Sequence, residues 1–172
     1  MPRRRWAIFG AVAAALALLA LIPALRHPAS PYADLVQMPA MDRTDLMATL
    51  DQPDKFRPVL EASLNAYEAG DYPTAMAKAD DILGAFPADP SALFVKAMAE
   101  YKQGNLGQAE KLMDQSERSR PMTEYRCWAT LQLGLATGSR ARIERECSHL
   151  SSSPEHAPRI RQIEQTLRQR GA

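Results

Sequence analysis

Ala66-Tyr67-Glu68-Ala69-Gly70-Asp71-Tyr72-Pro73-Thr74-Ala75 is the stretch on which the fold turns. It returns 34 positions on, with Tyr101, Gly104, Asn105, Leu106 and Ala109 in register. A further 34 positions on it returns with fewer matches, as Leu135, Gly138, Ser139, Arg140 and Ile143. The prolines keep the same step, Pro87 being followed by Pro121. Each element of the stretch has a physical task. Glycine admits the left-handed backbone that ends a helix, and Asp or Asn caps the next one. A small residue such as Ala75 lets the two helices approach closely. The period therefore encodes helix, turn, helix.

Working outward, three hairpins follow in chain order, at about residues 54–87, 88–121 and 122–154. In the first, Val59, Leu60, Ser63, Leu64, Ala66 and Tyr67 recur at helical spacing, then Ala75, Ala79, Ile82 and Leu83. Pro58 fits if it lies in the first turn, where its missing N–H costs nothing. In the second, Leu93, Phe94, Ala97, Met98 and Tyr101 answer Ala109, Leu112, Met113 and Ser116, with Asp89-Pro90 as cap and first-turn proline. In the third, Cys127, Trp128, Leu131 and Leu135 answer Ile143, Cys147 and Leu150. Ile143 stands where the other repeats have alanine, so this hairpin is expected to open wider. Ser153 and Pro154 predict a last helix over 154–170. Ile160, Ile163 and Leu167 give it one apolar stripe, which suits a terminal cap.

This pattern resembles the tetratricopeptide repeat. Two repeats keep the glycine, the following Asp or Asn, the first-turn alanine and the closing proline. The early tryptophan of the family's first helix is absent, and the third repeat departs furthest. The resemblance implies an all-α chain of about three hairpins and a capping helix, stacked as a solenoid that binds protein segments along its inner groove. Carried over by register, the groove residues are Leu60, Leu64 and Tyr67, then Phe94, Met98, Tyr101 and Lys102, then Tyr125, Trp128 and Gln132. Aromatic side chains anchor partner segments well. Leu64, Phe94 and Trp128 fit equally well as packing between hairpins.

Before the repeats, Trp6 to Leu25 runs 20 residues without a charge, enough to cross a bilayer as a helix. Arg3, Arg4 and Arg5 precede it, so residues 1–5 are predicted to stay in the cytoplasm. The rest then lies outside, in the periplasm behind a bacterial inner membrane. A cleaved signal peptide is the competing reading, although no clean small-x-small site follows the apolar run. Residues 26–53 read as a linker. Pro28, Pro31 and Pro39 make its first part an extended tether, and Asp42–Leu50 a short helix with Leu46, Met47 and Leu50 on one side. Two placements are open to that helix: a free spacer, or a cover folded over the groove. The layout, with Pro31-Tyr32 in the linker and His156 in the last helix, resembles single-pass envelope proteins with tetratricopeptide repeats.

Composition narrows the function. Lys plus Arg is 21 against 20 Asp plus Glu, a net charge of +1 that argues against a nucleic-acid binder. No phosphate-binding loop, dinucleotide fingerprint or His-Glu-x-x-His occurs, and no histidine stands beside a nucleophile with a third orienting group. Neither an enzyme nor a cofactor is expected. Cys127 and Cys147 are the two cysteines. In an exported domain they are expected to form a disulfide across the third hairpin, with two buried thiols as the alternative. Cys127, Cys147, His149 and His156 have the residue types of a zinc site but not its spacing, so no metal is expected. The reading that follows is a non-enzymatic, membrane-anchored adaptor that binds a protein or peptide and helps assemble or regulate an envelope complex. A transmembrane signalling component, or a non-catalytic subunit of an envelope enzyme, is the alternative.

Overall fold

The computed structural model describes residues 30–119 and 122–170. Among these the chain is all-helical. A 3-10 turn at Ala33–Leu35 comes first, then α1 (Arg43–Ala48), α2 (Pro53–Glu68), α3 (Tyr72–Leu83), α4 (Pro90–Lys102), α5 (Leu106–Ser119), α6 (Glu124–Thr137), α7 (Arg140–Leu150) and α8 (Ala157–Gln169). The membrane helix predicted at residues 6–25 and the cytoplasmic residues 1–5 lie outside the described residues. Among the described residues no helix is long and apolar enough to cross a membrane.

Helices α2–α3, α4–α5 and α6–α7 form three successive hairpins. Gly70, Gly104 and Gly138 end their first helices at φ of 80°, 83° and 77°, where a Cβ would be strained. The Asp71 carboxylate accepts from the Thr74 N–H at 3.1 Å and caps α3, while Asp89 accepts from Ala92 at 2.7 Å and caps α4. At the second turn the Asn105 side-chain amide donates to Glu100 at 2.7 Å.

Several local expectations need correction. Pro53 takes the first turn of α2, so Pro58 falls inside the helix on an exposed face, where the carbonyl it cannot bond stays in water. The last helix begins at Ala157, three residues beyond the predicted start. Residues 154–156 form a turn, and His156 rather than Ser153 stands at the cap position. Ser153 still serves the turn, accepting from the His156 N–H at 3.3 Å. Ile143 gains its room from the facing helix. A Cβ added at Gly134 would sit 3.2 Å from Ile143 Cγ1 and from the Arg142 side chain. Glycine on α6 thus makes room for the larger residue on α7.

The linker departs most from expectation. From Ser30 the chain is not a free tether but a strap laid along one face of the array. Leu35 is buried against Leu131, Leu135 and Ile160, beside the third hairpin and α8. Leu46 and Leu50, four apart on one side of α1, are buried against Leu60, Leu64, Phe94 and Met98 of the first two hairpins. The strap thus joins an apolar cluster around α2–α5 to a second around α6–α8. Burying the two leucines contributes about 1.5–3 kcal/mol each.

Candidate functional site

The residues carried over by the repeat register as a groove lie largely under the strap. Leu60, Leu64, Phe94, Met98 and Gln132 are wholly buried. The Gln132 side-chain oxygen accepts from the Gln37 N–H at 2.6 Å, so this residue turns its carbonyl to the strap, while its amide nitrogen is buried without a partner. The short helix therefore covers the groove, the second of its two possible placements. Tyr67, Tyr101, Tyr125 and Trp128 remain half-exposed, and Lys102 is exposed.

The residue that locks the strap was not in the predicted set. Arg126 of α6 is 2% exposed, and its guanidinium lies 5.4 Å from the centre of the Phe94 ring. Its Nε donates to Asp45 at 2.9 Å. Its other nitrogens donate to the Pro90 carbonyl at 3.1 Å, to the Ser116 and Ser91 hydroxyls at 3.3 Å, and to Thr49. The Ser91 hydroxyl in turn donates to the Leu46 carbonyl at 2.6 Å. One planar cation with five donors thus ties α1 to α4, α5 and α6, and this hydrogen bonding makes its burial tolerable. Asp89 adds a second lock, accepting from the Asp51 N–H at 2.7 Å as well as capping α4. Burial raises the Asp89 pKa, against the opposing pull of its backbone donors.

Both ends of the strap carry exposed ion pairs. Arg43 donates to Glu68 at 2.7 and 3.1 Å and to Asn65 at 2.7 Å. Arg170 forms a two-pronged pair with Asp34 at 2.7 Å, and Arg159 donates to the Leu35 carbonyl at 3.1 Å. Two arginines near the end of the chain, Arg159 and Arg170, thus hold the strap.

Three tyrosines border the strap. The Tyr67 ring meets Tyr72 edge-on at 5.5 Å, Tyr125 meets Phe94 at 5.6 Å, and the Tyr125 hydroxyl lies 3.7 Å from the Met41 sulfur. Burial pushes the Tyr67 phenol well above its ordinary value, and the neighbouring Tyr72, Tyr125 and Tyr101 push it further. Burial likewise raises Tyr125 to about 12 and Tyr101 to a lesser extent. These phenols stay neutral and can donate hydrogen bonds at any physiological pH. Tyr101 and Lys102 open onto a cleft whose other walls are Ser30, Val36, Leu106 and Ala136.

Trp128 turns away from this row. Its indole stacks flat on His156 at 4.6 Å and 3°, and His156 faces Glu124 at 3.6 Å. That takes His156 out of the four-residue zinc set. The predicted disulfide is not formed: Cys127 and Cys147 are buried free thiols. They sit in one apolar cluster and share Glu146 as a charged neighbour, with Glu164 also acting on Cys147. Burial pushes both thiols up to about 12, so neither is a nucleophile at neutral pH.

A family model for the tetratricopeptide repeat matches residues 66–127, from the end of α2 to the start of α6. The match supports that family, typically a non-catalytic scaffold for protein–protein interaction. No curated protein and no solved structure gives a match.

Proposed function

We propose that this chain is a non-enzymatic adaptor anchored in the bacterial inner membrane by residues 6–25, with its helical array in the periplasm. There it binds a protein or peptide partner and assists the assembly or regulation of an envelope complex. The charge pattern supports the topology, since Arg3, Arg4 and Arg5 precede the apolar run and the array follows it. Ser30, five positions after Leu25, already belongs to the folded array, so the array would lie close against the bilayer.

The observation that carries the partner-binding role is the row of half-buried tyrosines left beside the strap. With the aliphatic floor of the groove taken in cis, the partner engages the rim formed by Tyr67, Tyr101, Lys102 and Tyr125. Tyrosine suits such a rim because it offers apolar area and a hydroxyl donor at small entropic cost. The test is a photocrosslinking amino acid placed at Tyr101, with Lys111 on the outer side of α5 as control, in native membranes. A defined adduct from position 101 but not from 111 supports the rim. Equal labelling at both, or none at 101, argues against it. Protease accessibility in spheroplasts tests the topology separately: the array should be cleaved without lysis.

A further inference from the structure

Behind the third hairpin, three side chains of different chemistry converge outside the groove. Cys127 projects from α6, and Glu146 and His149 project three residues apart from α7. The thiol sulfur, a carboxylate oxygen and an imidazole nitrogen lie within 4.8 Å of one another. Glu146 is 1% exposed, which is exceptional for a carboxylate. Its Oε1 accepts from Arg145 Nε at 2.7 Å, but its Oε2 has no hydrogen-bond donor and is turned toward His149 Nδ1 at 3.4 Å. The second oxygen of this buried carboxylate, beside the Cys127 thiol, is therefore free to bind a cation. His149 is itself exposed and opens onto a cleft walled by Met122, Glu124, Ser152 and Ser153.

We propose that Cys127, Glu146 and His149 form a three-ligand site for a divalent transition metal, zinc above all, with the fourth position open to the cleft. The donor set is that of zinc: a thiolate, an imidazole and one carboxylate oxygen. Bond lengths of roughly 2.0–2.3 Å put tetrahedral donors about 3.5 Å apart. His149 Nδ1 and Glu146 Oε2 already stand at that separation, 3.4 Å, and all three donors lie within 4.8 Å of one another. Arg145 holds the other carboxylate oxygen and so fixes the direction of the ligating one, as outer partners do around metals. The charges balance. The metal displaces one proton from the Cys127 thiol, and a thiolate, a carboxylate and a neutral imidazole around a dication sum to zero. The bound metal would clamp α6 to α7 in the repeat that departs furthest from the common pattern.

The test uses the purified full-length chain, kept reduced. Zinc is titrated against a chromophoric competing chelator, and cobalt is used as a spectroscopic probe. The expected result is one zinc per chain, one proton released per zinc, and a thiolate-to-cobalt charge-transfer band. H149A and E146Q should each weaken zinc binding at least about tenfold. C127S should lose the cobalt band and C147S should keep it. H149A lies on the surface, so a folded variant is available whatever happens to the others. Absence of stoichiometric zinc binding, unchanged affinity in both H149A and E146Q, or a band lost equally in C147S would overturn the assignment.

Discussion

Hairpins α2–α3 and α4–α5 meet over aliphatic and aromatic side chains, whereas hairpin α6–α7 adds a cluster of ion pairs to its apolar contact with its neighbour. Around the first two, Leu46, Leu60, Leu64, Ile82, Phe94 and Met98 close a dry cluster, into which Arg126 is admitted with its donors engaged. At the third, the buried Arg142 of α7 bonds Asp114 at 2.6 Å and Glu117 at 2.9 Å, and Arg145 bonds Glu117 at 2.7 Å. The same turn glycine begins both kinds of hairpin. What differs is the residue pair at the point of closest approach, and hence how much apolar area remains to be buried. The strap spans both regions, and so it is the natural place to break one without the other.

The largest effect should come from R126M. It strands Asp45, whose side chain is 10% exposed, without a partner and cuts the strap from α4 and α5. Loss of one member of a buried pair costs about 3–5 kcal/mol, readable as a shift in the denaturant midpoint. L46A should follow at about 3 kcal/mol, the usual cost of deleting a fully buried leucine side chain. If the two regions are distinct cores, its effect should add to that of I163A in the double variant, whereas I160A and I163A should couple. Next comes G134A, which forces a Cβ to within 3.2 Å of Ile143 and Arg142. It should cost about 1–3 kcal/mol, while A66G at the equivalent position of the first hairpin should cost only the helix propensity of glycine, roughly 1 kcal/mol.

The smallest effects are those of pH, and they should have opposite signs in the two regions. Burial raises the Glu117 pKa despite its two arginines, so folding favours its protonated form. Relative to E117Q, the native chain should gain stability as pH falls through the range just above the ordinary glutamate value. Arg43 lowers the Glu68 pKa through its hydrogen bonds. Relative to E68Q, the native chain should hold its advantage above the ordinary glutamate pKa and lose it as pH falls toward the lowered one. Thermal melts of both pairs across the acid range would show curves that diverge in opposite directions.

What was legible in the sequence follows the range of the interaction behind it. Gly70, Gly104 and Gly138 announce their turns because a backbone angle is a local requirement. Asp71 and Asp89 announce their caps for the same reason. The strap was half-legible: Leu46 and Leu50 show an apolar side, but nothing local says what covers it. Arg126 was illegible, since its value lies in Asp45, Thr49 and Ser91, which are distant in the chain. Ile143 is legible as too large for its place, whereas the compensating role of Gly134 depends on a contact between two helices that no local pattern encodes. The two cysteines were read from the compartment, and the environment of each side chain decided otherwise.

Hydrogen exchange read by mass spectrometry on the full-length chain tests the strap most directly. The N–H groups of Gln37, Leu46 and Asp51 are each engaged, with Gln132, Asp42 and Asp89. If the strap is an integral layer of the fold, peptides covering residues 37–51 should exchange as slowly as those from the core of α4. Full exchange of the strap peptides at the earliest time point, with α4 still protected, would contradict the account and return the groove to its partner.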